Sequence, residues 1–210
     1  MDAKRIIQFL KDVSANNNRQ WFLEHKAEYL EVRKNFEDGI AQAILRISEF
    51  DPSVKHVLPK DATYRFNRDT RFSPDKSPYK NHLGAYINAR GKKALRGGYY
   101  IHIEPDKCLL AVGNYWLPTN ILTACRNEMM SNEEEWLKCV QNEKFLKYFG
   151  SPVDQEWGSP KGFGIEHLKT CPSGFPKDYK YIEYLRMKDY CCWKSVPNIF
   201  YDGDRWLDEM

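Results

Sequence analysis

The sequence predicts an α+β protein, with an antiparallel sheet of four or more strands packed against N-terminal and C-terminal helices. Three observations carry this. Residues 18–48 repeat apolar side chains at three- and four-residue steps, the pattern of a helix lying on a core. Residues 82–113 hold three short strand-like runs joined by connections that suit antiparallel neighbours. Within the middle run, alternation sorts Tyr99, Ile101 and Ile103 to one face and Tyr100, His102 and Glu104 to the other. At 210 residues, the chain reads as one domain, 1–210, with room for a substantial core.

Taken in order, Asp2 caps a first helix whose inner face is Ile6, Phe9, Leu10 and Val13. The asparagines at 16–18 break it. Asn18 then caps one long helix to Ser48, with Phe22, Tyr29, Phe36, Ile40, Ala43, Ile44 and Ile47 inward, and Asp51-Pro52 ends it. Trp21 borders that face and reads as a core anchor rather than a stacking platform. A strand is expected at 63–67, then strands at 82–88, 98–104 and 108–113. Pro118 and Thr119 open a helix with Ile121, Leu122, Cys125 and Met129 inward. Asn132 caps another, whose first turn carries Glu133, Glu134 and Glu135 at the positive end of the dipole. Trp136, Leu137, Val140 and Tyr148 face inward and Gly150 with Pro152 closes it. Residues 151–176 read as loops with at most a short strand. Residues 178–186 read as a helix, 191–196 as a strand, and 204–210 as a last helix.

Composition narrows the function classes. Hydrophobic residues are 42% and charged residues 29%, ordinary for a soluble domain, and no window reaches the length of a membrane span. Without an N-terminal targeting signal, and with six cysteines lacking paired spacing, the expectation is a cytoplasmic protein with reduced thiols. The five histidines are scattered, so no metal site is expected from spacing. Loops that bind nucleotide triphosphates or dinucleotides, zinc-protease helices and nucleophile elbows are missing, and no motif names a cofactor.

The densest chemistry lies at residues 65–80. Five cations (Arg65, Arg68, Arg71, Lys76, Lys80) stand with two carboxylates (Asp69, Asp75) and the rings of Phe66, Phe72 and Tyr79. Pro74 and Pro78 exclude a helix interior in the second half, so this is an ordered loop on which the arginines converge. Guanidinium forks suit carboxylate or phosphate, and two acids do not neutralise five cations. Across residues 65–96 the net charge is +7 in a chain of +3, which leaves −4 for the remainder. Lys92 and Lys93 read more simply as solubilising a hairpin tip.

The run Arg-x-x-Arg-Asp-x-Arg-Phe-x-x-Asp-Lys-x-x-Tyr, from Arg65 to Tyr79, resembles the signature of the bacterial family called domain of unknown function 2461. Trp21-Phe22, Tyr99-Tyr100, the turn from Gly113 to Pro118 before Leu122 and Arg126, and the Pro172, Gly174, Pro176 turn are also similar to that family. The resemblance spans most of the chain and implies a family without implying a chemistry.

Three functions follow from the charge. The first is a site for a small phosphate- or carboxylate-type anion, lined by Arg65, Arg68, Asp69, Arg71, Asp75, Lys76, Tyr79 and Lys80, with His102 beside it. The second is a nucleic-acid backbone binder using the +7 segment. The third is a structural protein whose arginines are clamped by Asp69 and Asp75. His102 with Glu104 can form an acid–base pair, although a plain solvent-facing strand is the simpler reading. No nucleophile can be named.

Overall fold

The computed structural model describes residues 1–152 and 159–210. It is α+β. The chain forms two compact units. The first comprises Met1–Ala94, Gly98–Leu110 and Val196–Met210; the second comprises Leu95–Gly97 and Ala111–Ser195. The strands β1 (Leu83–Ile87), β2 (Gly98–Ile103), β3 (Leu109–Asn114), β4 (Lys161–Phe163) and β5 (Tyr190–Ser195) make an antiparallel sheet in the order β1-β2-β3-β5-β4.

In the first unit, α1 (Ala3–Ala15) begins where the Asp2 carboxylate accepts from the Arg5 amide, and it buries Ile6, Phe9, Leu10 and Val13 as its periodicity demands. The expected helix over 18–48 is two helices. Asn18 does cap the first, α2 (Arg19–Glu24), but the chain breaks at His25 before α3 (Lys26–Ser48). There the His25 ring stacks on Trp21 at 4.0 Å and its Nδ1 lies 2.8 Å from the Trp21 carbonyl oxygen. Trp21 itself packs against the core. From α3, Phe36, Ile40, Ala43 and Ile47 join α1 and the inward residues Leu83, Ala85, Ile87, Ile101 and Ile103 of β1 and β2 in one buried cluster. Tyr201 and Trp206 complete that cluster; Trp206 opens α9 (Trp206–Glu209).

No strand forms at 63–67. After the short helix α4 (Pro59–Ala62), the segment makes only isolated bridges, Thr63 to Ala85 and Asn67 to Tyr79. The register of β1 on β2 sets Leu83 opposite Ile103 and Gly84 opposite His102.

In the second unit, α5 (Thr119–Ser131) buries Leu122 and Met129, together with Arg126. The helix expected from Asn132 to Gly150 is divided into α6 (Glu133–Val140) and α7 (Glu143–Phe149). Asn142 caps the latter by accepting from Phe145, whereas the Asn132 side chain turns back to Glu128. Tyr148 is exposed rather than inward. Residues 178–186 are helical only in α8 (Ile182–Arg186). The loop reading of 151–176 fits β4 with irregular flanks, except that its part at 153–158 lies outside the described residues. All six cysteines are free thiols. Among the described residues no helix is long and apolar enough to cross a membrane.

Candidate functional site

The arginine-rich loop is built from its neck outward. Phe66 and Tyr79 are buried, and their rings lie in an aromatic cluster with Phe9, Phe22 and Tyr29; Tyr79 stacks on Phe22 at 4.0 Å. Two backbone bonds close the neck, Arg68 N to Pro78 O at 2.9 Å and Lys80 N to Phe66 O at 3.0 Å. The Asn17 side chain then acts as a strand partner for Tyr79. It donates to the Tyr79 carbonyl and accepts from the Tyr79 amide, both at 3.0 Å. Tyr79, expected as a ligand contact, anchors the neck in the core through its ring and also borders the cleft described below.

Beyond the neck, the charges pair in two groups. Asp69 takes Arg71 in a bidentate contact at 2.7 and 3.0 Å, with Arg65 at 3.9 Å on the same carboxylate. Asp75 accepts from Arg68, and its other oxygen accepts from the Ser77 amide and hydroxyl. The Arg71 hydrogen bonds hold Asp69 at about 2, and the Ser77 and Arg68 bonds hold Asp75 well below the usual carboxylate range. Both carboxylates are solvent-exposed, so these pairs order the loop tip more than they stabilise the fold. The three arginines share one neighbourhood, each with an acid.

The neck and the residues at the start of α2 border an open cleft of about 390 Å³, lined by Asn17, Asn18, Arg19, Asn67, Arg68, Thr70, Lys76, Pro78 and Tyr79. Its wall carries three cations and no carboxylate. Lys76 donates to the Thr70 carbonyl at 2.9 Å. Among the described residues, neither Lys76 nor Arg19 has a carboxylate within ion-pair distance. Of the expected residues, Arg68, Lys76 and Tyr79 thus line the cleft, Asp75 reaches it through Arg68, and Arg65, Asp69 and Arg71 form the exposed group beside it. Sequence reasoning missed Asn17, Asn18, Arg19, Asn67 and Thr70. The asparagine run at 16–18 was the available signal, but it reads as a helix break.

Lys80 and His102 belong to a second cluster, on the sheet face turned away from the core. Lys80 and Lys92 both lie over the Tyr64 ring, at 5.5 and 5.4 Å. Burial, then Arg65 and Lys92, push the Lys80 ammonium down. Lys92 also donates to the Thr63 carbonyl at 2.6 Å, so it is no free hairpin-tip charge. The polar face of β2 is half-buried rather than solvent-facing. Tyr100 Oη lies 2.8 Å from His102 Nδ1, and His102 Nε2 lies 3.0 Å from Glu104 Oε2. The side chains of His102 and Glu104 are only 12% and 14% exposed. Gly84 makes room for this, since a Cβ there would meet Tyr100 Oη at 2.8 Å. Continuing the β1–β2 register by one residue sets His82 opposite Glu104, and its ring stacks on His102 at 4.6 Å. Burial, followed by His102 and Lys80, pushes His82 down to about 4. Burial also lowers His102. Burial alone would raise Glu104, but the His102 hydrogen bond and the Lys107 ammonium hold it low.

The family described as Conserved hypothetical protein (DUF2461) matches residues 5–210. No curated protein and no solved structure matches the chain.

Proposed function

We propose that this chain, which belongs to the DUF2461 family, binds a small phosphate- or carboxylate-bearing anion in the cleft between Asn17–Arg19 and the neck of the arginine-rich loop. The observation that carries this reading is the composition of the wall: Arg19, Arg68 and Lys76 with Asn17, Asn18, Asn67 and Thr70, and no acid. Asp75 neutralises Arg68 from outside the cleft, which leaves an excess of two cations facing a small volume. Like charges so placed repel until an anion enters, and each cation then gains a charge-assisted hydrogen bond. The Arg68–Asp75 pair holds one wall of the cleft, so the clamp and the site are parts of one loop.

Titration calorimetry and thermal denaturation with inorganic phosphate and with malonate test this. At a hundredfold excess over the dissociation constant, the anion stabilises the parent by about 2.7 kcal/mol. The Arg19→Ala, Lys76→Ala double variant loses that gain while its anion-free melting midpoint stays level or rises. Arg71→Ala, which lies outside the cleft, keeps both midpoint and anion effect. Equal stabilisation of the parent and the double variant would remove the cleft as the site. A single-stranded oligonucleotide that outcompetes phosphate, with affinity falling steeply in salt, would transfer the role to nucleic-acid binding.

A further inference from the structure

We infer that His82, His102 and Glu104 form a binding site for one divalent transition ion of the zinc, cobalt(II) or iron(II) kind. The three residues offer ligand atoms that all lie within 4.8 Å of one another. His102 Nε2 and Glu104 Oε2 are already 3.0 Å apart. A tetrahedral ion with bonds of about 2.0–2.2 Å holds its ligands at roughly 3.3–3.5 Å, so that pair needs little movement. A small shift of the His82 ring, which stacks on His102 at 4.6 Å, brings its ligand nitrogen to the same point.

The ion would replace the proton shared by His102 Nε2 and Glu104 Oε2, and the other polar atom of each ligand has a partner of its own. Tyr100 Oη engages His102 Nδ1 at 2.8 Å, which leaves Nε2 for the ion. Asn81 Oδ1 engages His82 Nδ1 at 3.2 Å, again leaving Nε2. The same Asn81 donates through Nδ2 to Glu104 Oε1 at 3.0 Å, which leaves Oε2. Every ligand thus has an orienting partner, and Asn81 ties two of them together, as the outer shell of a metal site does. Two imidazoles and one carboxylate favour borderline transition ions over magnesium or calcium, which prefer oxygen cages. Three protein ligands leave a position for water, the arrangement of catalytic rather than structural zinc sites. Lys107, 3.5 Å from Glu104 Oε1, and Lys80 near His82 lower the affinity relative to a site without cations.

The test is titration of the full chain with Co²⁺ after chelator stripping, with thiols kept reduced. One ion binds per chain, giving visible bands of nitrogen- and oxygen-ligated cobalt without a thiolate charge-transfer band. His82→Ala and Glu104→Gln abolish saturable binding. Asn81→Ala, at an exposed position, weakens binding by roughly 10–100-fold. Circular dichroism of each variant separates lost binding from lost fold. No saturable binding in the parent, unchanged stoichiometry in folded His82→Ala, or a thiolate band that assigns the ion to cysteine would each overturn the proposal. These readouts are independent of the anion cleft.

Discussion

Replacing Gly113 by alanine is expected to produce one of the largest stability losses available from a single methyl group in this protein. Gly113 has φ +114°, a left-handed value that side-chain-bearing residues rarely adopt. A Cβ there would stand 2.0 Å from the Tyr190 carbonyl oxygen and 3.1 Å from Cys191 Cα. Both obstacles are backbone of β5, so no rotamer change relieves them. Backbone strain of about 1–3 kcal/mol and overpacking of about 1–3 kcal/mol combine to roughly 2–6 kcal/mol. That is a large part of the 5–15 kcal/mol typical of a folded domain. Gly91→Ala is the control. Gly91 also has a positive φ, +85°, but a Cβ there meets nothing within 4 Å, so only the strain remains. Urea denaturation compares the two, and equal midpoint losses would show that the contact with Tyr190 is not the cause.

Arg126→Ala should rank beside it. This guanidinium is 3% exposed, donates from Nε to the Leu185 carbonyl at 2.7 Å and from Nη2 to the Met187 carbonyl at 3.0 Å, and lies 5.9 Å from the Phe175 ring. Leu185 and Met187 are at the end of α8, where carbonyls lack partners within the helix. Removing the guanidinium strands both in a buried setting. With two charge-assisted bonds at about 1.5–3 kcal/mol each, the loss is about 3–6 kcal/mol. Arg126→Lys recovers less than half, because one ammonium cannot span both acceptors as a rigid fork does. Arg126→Met keeps the volume without the donors. A methionine variant as stable as the parent would show that Arg126 acts by filling space alone.

Arg126 also shows what the sequence could and could not reveal. Helical spacing from Leu122 and toward Met129 puts position 126 on the inward stripe, but residue type argues for the surface. Only the carbonyls at Leu185 and Met187, about sixty positions away, resolve the conflict. The strands at 82–113 were legible because alternation and short turns are local. The break at His25 was not, since neither proline nor glycine marks it and the stacking with Trp21 is a tertiary choice. At the site, the charge density of residues 65–80 stood out. Its closure by Asn17, its cleft with Arg19, and the meeting of His82 with Glu104 all depend on register and packing between distant segments.

The placement of Tyr201 and Trp206 has a consequence for the order of events during synthesis. Both are essentially inaccessible to water and lie in the core formed by α1, α3, β1 and β2. A ribosome that has released residues 1–110 has delivered every strand and long helix of that unit, but not the two large rings that fill it. Residues 111–195 come next, and at about 5–20 residues per second they keep the core waiting for roughly 4–17 s. During that interval, α1 and α3 present an apolar hollow shaped for an indole and a phenol. Until Tyr201 and Trp206 emerge, the apolar side chains of α1 and α3 that share their cluster stay without that cover.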